Sequence, residues 1–322
     1  MMSFESASAE HVRRLNRLIE RGGIARLRKL YNDAQAELES RLARAIGRAA
    51  APFTVHQYRV LLAQVRQGQM QIARRIGDES AHVTEETQKE ALSGIISQIK
   101  KLEAVHDLPS TTLPIEEASR FAGILDKRKT SLLAQARQSM ASYGAGVVRK
   151  IESNLAVALA SGASNGEAID AVAATADIEF WRAERIVRTE KSWAAHATIS
   201  DGIRASADAL VDLMMRWTEL VSESGSPLDD RVGADSVAMH GQVASPGGMF
   251  TMPDSARSVV VNNRYGRSVV SPDLIGESWA HPPNRPNDRA TIVPWRPQWG
   301  SRGWKVVGGS KVAVRGRASG SV

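Results

Sequence analysis

Proline is distributed so unevenly along this 322-residue chain that it limits the fold more than any other feature. Only Pro52, Pro109 and Pro114 precede Trp217, whereas nine prolines lie between Pro227 and Pro297. Proline lacks the amide hydrogen and its ring collides with the preceding helical turn, so long helices belong to the first two thirds. Five of the seven tryptophans lie at or beyond Trp217, which gives the proline-rich part its own apolar floor. The expected fold class is α+β, with a long, mainly α-helical N-terminal portion followed by a small, loop-rich α+β C-terminal domain. Four segments are expected: an extended helical arm over 1–110, a helical region over 111–213, a compact α+β core over 214–297, and a basic Gly/Ser/Val-rich tail over 298–322.

Within the first part, residues 7–49 contain no proline and many arginines, and Gly22-Gly23 is expected to break or bend this helix. From Thr54 onward, Val55, Tyr58, Leu62, Val65, Gln69, Ile72 and Ile76 alternate spacings of three and four. That pattern is a candidate helix-docking seam, facing either another helix of the same chain or a second subunit. A further helical run is expected over 83–105, a loop around Pro109 and Pro114, and a stripe from Leu132 to Leu155. Ser164 precedes Glu167 by three residues, the spacing of a capping box, and another helix is expected to begin at Asp177. Beyond it, strands are expected over 213–221 and 258–262, and a hairpin over 304–314.

The net charge of +7 has a definite location. Seven basic residues and no acidic one follow Asp288, and the rest of the chain is balanced at 35 of each sign. Such a tail is either a solvated, solubilising end or an arm that seeks phosphate, since each cation that neutralises a phosphate releases a counterion. Arg296, Arg302, Lys305, Lys311, Arg315 and Arg317 are the candidate nucleic-acid contacts. The absence of cysteine excludes disulfide scaffolds and thiolate metal sites. No stretch approaches the ~20 apolar residues that span a bilayer, and the first ten residues lack the apolar core of a secretory signal.

The second part also holds residue types that enzymes use. Asp229, Asp230, His240 and His281 are residue types that bind divalent ions, yet no His-x-x-x-His pair or carboxylate cluster fixes their geometry. His281, Asn284 and Asn287 are spaced like an HNH-type nuclease segment that lacks its second histidine. No phosphate loop, nucleophile elbow or dinucleotide fingerprint occurs. The expectation is a protein without catalytic residues, cofactor or bound metal. The same residues suit a structural clasp instead. Arg231 beside Asp230 can fork onto a carboxylate, His240 can tie two loops, and Gly241 can supply a positive φ. Pro282, Pro283 and Pro286 stiffen a segment that Asn287, Asp288 and Arg289 can bond back onto a sheet over Trp217, Trp279 and Trp295.

In their order, these pieces resemble the C-terminal domain of the phage Mu F-like head morphogenesis family. There a Trp-Thr strand is followed by Asp-x-Arg, by His with Gly close behind, and by a Pro-Pro segment ending in Asn-Cys-Arg-Cys with a later Pro. Here Trp217-Thr218, Asp229 to Arg231, His240-Gly241, Pro282-Pro283, Asn287-Asp288-Arg289-Ala290 and Pro294 take those places. Arg188-Thr189-Glu190 resembles the family's Ala-Arg-Thr-Glu helix, and the likeness covers roughly residues 150–297. Asp288 and Ala290 stand where the family often carries cysteines, so packing and hydrogen bonds must replace any metal or disulfide.

The resemblance implies a minor head (capsid) protein of a tailed bacteriophage, bound to the portal vertex or inner capsid and assisting head assembly and genome packaging or delivery. It implies the portal protein as partner, with the major capsid protein and packaged double-stranded DNA as further ones, and no membrane in the assembled head. Such a protein is made in the host cytoplasm and resides in the virion. The clasp it implies comprises Arg188, Thr189, Glu190, Trp217, Asp230, Arg231, His240, Gly241, His281, Pro282, Pro283, Asn287 and Arg289. The alternatives are a DNA-binding protein without a portal role, and a metal-dependent nuclease or effector.

Overall fold

A computed structural model of the chain describes residues 4–47, 52–221, 227–228, 232–282 and 290–299. Five long helices come first: α1 (Phe4–Arg21), α2 (Ile24–Ile46), α3 (Val55–Val105), α4 (Ala118–Ala160) and α5 (Asn165–Ser206). Short elements follow: β1 (Met214–Thr218), α6 (Ala234–Met239), β2 (Val243–Ala244), β3 (Phe250–Thr251), β4 (Val260–Asn263), β5 (Gly266–Val269), β6 (Ser278–Trp279) and β7 (Thr291–Trp295). The fold is α+β, with a long helical portion preceding a small strand-containing one.

The boundaries follow local chemistry. Gly23 has φ 72°, which ends α1, and a Cβ there would sit 2.4 Å from Val83 Cγ1. At the start of α5 the Ser164 and Glu167 side chains bond reciprocally, with Ser164 N–H donating to Glu167 Oε2 at 2.7 Å and Glu167 N–H to Ser164 Oγ at 3.3 Å. Two expectations are corrected. The runs over 54–76 and 83–105 form the single 51-residue helix α3, and Asp177 lies inside α5 rather than at its start. In α3 buried Gly77, Ser80 and Thr84 continue the inward face between the two apolar runs, and in α5 the stripe passes Asp177 unbroken through Val172, Ala176 and Phe180.

Contacts divide the chain into two units, neither of them a consecutive stretch. This differs from the linear scheme of 1–110, 111–213, 214–297 and 298–322. Residues 21–84 and 129–190 make up an all-helical unit, and residues 1–20, 85–128 and 191–322 make up the mixed unit.

The core of the helical unit holds Leu27, Tyr31, Leu38 and Leu42 of α2, Val65, Ile72 and Ile76 of α3, Met140, Val147 and Ile151 of α4, and Val172 of α5. The expected seam is therefore occupied by helices of the same chain. Leu62, Val65, Ile72 and Ile76 are buried, Tyr58 is half-buried and Val55 is exposed. Buried Gln69 donates to Gln35 Oε1 at 3.4 Å, which accounts for the polar position in the stripe. Gly68 lets α2 approach, since a Cβ there would lie 2.5 Å from Leu38 Cδ1.

The mixed unit packs Leu15 and Ile19 of α1, Leu92, Ile95 and Ile99 of α3, and Ile199 and Ile203 of α5 with the strand-containing part. There β1 is the central strand of an antiparallel three-stranded sheet ordered β2-β1-β7. Pro294 lies on β7, an edge strand, where a missing donor is tolerated. Two smaller antiparallel pairs, β3 with β6 and β4 with β5, complete the unit.

Candidate functional site

Trp217-Thr218, His240-Gly241 and Pro294, three pieces of the family likeness, meet around β1. The run Met214-Met215-Arg216-Trp217-Thr218 is apolar and compact enough for a strand paired on both edges, and its last four residues are buried. Trp217 pairs across to Ile292 of β7, and its ring meets Phe250 edge-on at 5.4 Å. Beyond β2, Trp217 exchanges backbone bonds with the His240-Gly241-Gln242 turn. Gly241 N–H donates to Trp217 C=O at 2.8 Å, and Trp217 N–H donates to Gln242 C=O at 2.9 Å. Gly241 has φ 86°, the left-handed conformation expected of it.

His240 closes this turn over the end of β1. Its Nδ1 accepts the Glu219 backbone N–H at 3.0 Å, so that nitrogen carries no proton and the neutral ring is the form the contact requires. Burial, with the Arg216 charge adding to it, pushes the His240 pKa down to about 4. This bond links the turn after α6 to the chain leaving β1.

Three buried charged residues of the mixed unit, two of them at β1, belong to no sequence motif. Arg216, buried between Met215 and Trp217, lies 5.1 Å over the Phe4 ring of α1. Glu219, also buried, accepts the Leu220 backbone N–H at 2.8 Å. Lys191 is fully buried and donates to the Leu18 and Ile19 carbonyls at 2.8 and 2.9 Å, closing the last turn of α1. A charged residue inside an apolar strand was the available signal for Arg216. Nothing in the spacing marks Lys191.

Arg188, Thr189 and Glu190 do not join this cluster through any described contact. They belong to the helical unit, where Arg188 bonds Glu184 at 3.2 Å, Thr189 donates to the Arg185 carbonyl at 3.0 Å, and Glu190 accepts from Ser139 at 3.1 Å and from Gln135. Burial raises the Glu190 pKa despite those two donors. His281 is engaged elsewhere in the mixed unit. Its Nδ1 donates to the Pro282 carbonyl at 2.6 Å, and its ring meets Trp193 of α5 at 5.8 Å. Arg128 stands 5.5 Å over the same indole and bonds Asp201 at 3.1 Å. Burial is the main cause that lowers the His281 pKa.

Arg296 requires a correction. In place of the expected nucleic-acid contact, its side chain is only 14% exposed, pairs with buried Glu103 at 3.6 Å and lies 5.8 Å over Trp299. It is a core cation. Asp230, Arg231, Pro283, Asn287, Arg289, Arg302, Lys305, Lys311, Arg315 and Arg317, with the hairpin over 304–314, lie outside the described residues.

Among the described residues, no group of three or more His, Asp or Glu is arranged to hold a metal, and no helix is long and apolar enough to cross a membrane. No protein-family profile, curated protein or solved structure matches the chain.

Proposed function

We propose that this chain is a minor head protein of a tailed bacteriophage, non-catalytic, which binds the portal vertex or inner capsid and assists head assembly and genome packaging or delivery. One observation carries the reading. Trp217-Thr218, His240-Gly241 and the strand that follows the Asn287 to Arg289 segment are far apart in sequence, yet they meet at one three-stranded sheet, where Trp217 bonds Gly241 and Gln242 on one side and pairs with Ile292 of β7 on the other. His240 and His281 each use Nδ1 on the backbone, the former accepting from Glu219 N–H and the latter donating to the Pro282 carbonyl, which suits a part in holding loops in place. Binding by preformed surfaces supplies the function in this reading, with portal protein, capsid protein and packaged DNA as partners.

Mass spectrometry of purified heads tests it. The chain is expected in DNA-filled particles at a stoichiometry well below that of the major capsid protein. Its absence from particles of every assembly stage contradicts the reading. The DNA-binding alternative draws on Arg13 and Arg17, which lie four residues apart on α1 and are both exposed. It predicts DNA retention by the isolated chain and no association with a portal ring.

A further inference from the structure

The helical unit contains a cleft of about 330 Å³ between α4 and α5 that neither the clasp nor the family likeness accounts for. Its wall is one face of α4, because Ser142, Gly146, Arg149, Lys150 and Ser153 recur at helical spacing, and Arg182 of α5 closes it. Three cations thus converge on one concavity. The carboxylate that holds two of them is sequestered: Glu179, 3% exposed at its side chain, accepts from Lys150 and from Arg182, the latter at 2.9 Å. Burial alone would raise Glu179, but those two donors outweigh it and keep it ionised below the usual carboxylate range. Glu179 cancels one charge and fixes two side chains from beneath. Arg149 has no ion pair among the described residues, and the hydroxyls of Ser142 and Ser153 add neutral donors.

The backbone of α4 leaves this cleft open. Gly144 is required for packing, since a Cβ there would lie 2.9 Å from Ala73 Cβ. Gly146 has no such reason, and a Cβ on it would meet nothing within 4 Å. A glycine in mid-helix weakens the helix, and one that lines a cationic concavity is what close approach of a ligand requires. The neighbouring face of α5 extends the positive row. Arg185 lies 4.9 Å over the Trp181 ring, and Trp181 and Ile178 are 52% and 66% exposed. Asp177, also exposed, is the acidic residue at the end of that face.

We propose that this cleft seats a backbone phosphate of DNA, with Arg149, Lys150 and Arg182 as the contacting cations and Gly146 as the point of closest approach. Tetrahedral oxyanions suit a fork of guanidinium and ammonium donors with hydroxyls beside them. The cation row running on past the cleft to Arg185 favours a polymer over a small phosphate. The choice of DNA rests on the head-protein reading, whereas the phosphate chemistry stands without it.

The test uses the full chain and a fluorescently labelled DNA duplex, with anisotropy measured over a range of salt concentrations, and inorganic phosphate titrated separately. Arg149→Ala is expected to weaken duplex binding about 3- to 10-fold at moderate salt and to reduce the salt slope by about one. Gly146→Leu fills the cleft at constant net charge and is expected to weaken binding as much, with an unfolding temperature no lower than that of the parent. Diffuse attraction to the protein's overall charge would survive that substitution. Duplex binding unaffected by both variants, or absent from the parent chain, overturns the proposal. So does binding of inorganic phosphate that both variants lose while duplex binding persists, which would make the cleft a small-anion pocket. Association of the Gly146→Leu chain with a portal ring reports on the head-protein reading independently.

Discussion

At the scale of single residues, much of this molecule's chemistry lies in histidines held neutral. His11 and His196 are both buried in the mixed unit, where burial lowers their pKa values to about 4 and about 3. The Arg14 charge adds to the effect at His11, and His281 and His11 add to it at His196, against a hydrogen bond that His196 Nδ1 donates to the Ser192 carbonyl at 2.7 Å. A folded pKa below the unfolded one means that the unfolded chain takes up the proton first. Stability contributed by the neutral rings is complete above pH ~6.5 and is lost as pH falls toward the folded values, at up to about 1.4 kcal/mol per pH unit for each histidine. Urea unfolding at pH 7.5, 6 and 5 should show a falling free energy, and His196→Gln should flatten its slope. An unchanged slope in that variant would assign the acid sensitivity elsewhere. At the clasp, His240→Ala removes the acceptor of the Glu219 N–H and should cost about 1–3 kcal/mol without changing the fold. Full stability of that variant would remove His240 from the clasp.

At the scale of elements, three glycines make opposite predictions. Gly23→Ala combines a φ of 72° with a contact of 2.4 Å to Val83, so it should destabilise the helical unit. Gly144→Ala meets Ala73 at 2.9 Å and should also destabilise it. Gly146→Ala, in open space on the same helix, should stabilise it by up to about 1 kcal/mol. Thermal unfolding of the three variants would separate the signs, and a destabilising Gly146→Ala would place hidden packing at the cleft. Much of the element list was legible in sequence. The break at Gly22-Gly23, the Ser164 and Glu167 cap and the strand expected over 213–221, which forms over Met214–Thr218, each rest on a local signal that the tertiary structure leaves in force. The continuity of α3 and α5 was not legible, because small or polar residues line the inward face there, Ser80 and Thr84 in α3 and Thr175, Ala176 and Glu179 in α5. Lys191 was invisible for a related reason: its partners Leu18 and Ile19 lie more than 170 residues away in the chain.

At the scale of the whole molecule, residues early in the chain are core residues of both units. Leu15 and Leu92 belong to one core and Leu38 and Ile72 to the other, so residues 1–110 supply interior packing to each. Proline placement predicted the change from helices to strands at Trp217, but contact-defined units assembled from separated segments leave no trace in composition. The Val55 to Ile76 seam shows the same limit, since its spacing required a partner helix without saying which, and helices of this chain fill it. It follows that deleting residues 1–110 should unfold the chain rather than detach a docking arm, which circular dichroism would register as a lost cooperative transition. Portal association must therefore be tested on the intact protein. The most direct measurement is co-expression of the full chain with the portal protein encoded by the same genome, followed by size-exclusion chromatography with light scattering. The head-protein account predicts a complex of defined mass that contains both proteins and persists at a salt concentration that removes DNA. Separate elution of the portal ring and this chain, with DNA accompanying the chain at low salt, would contradict it.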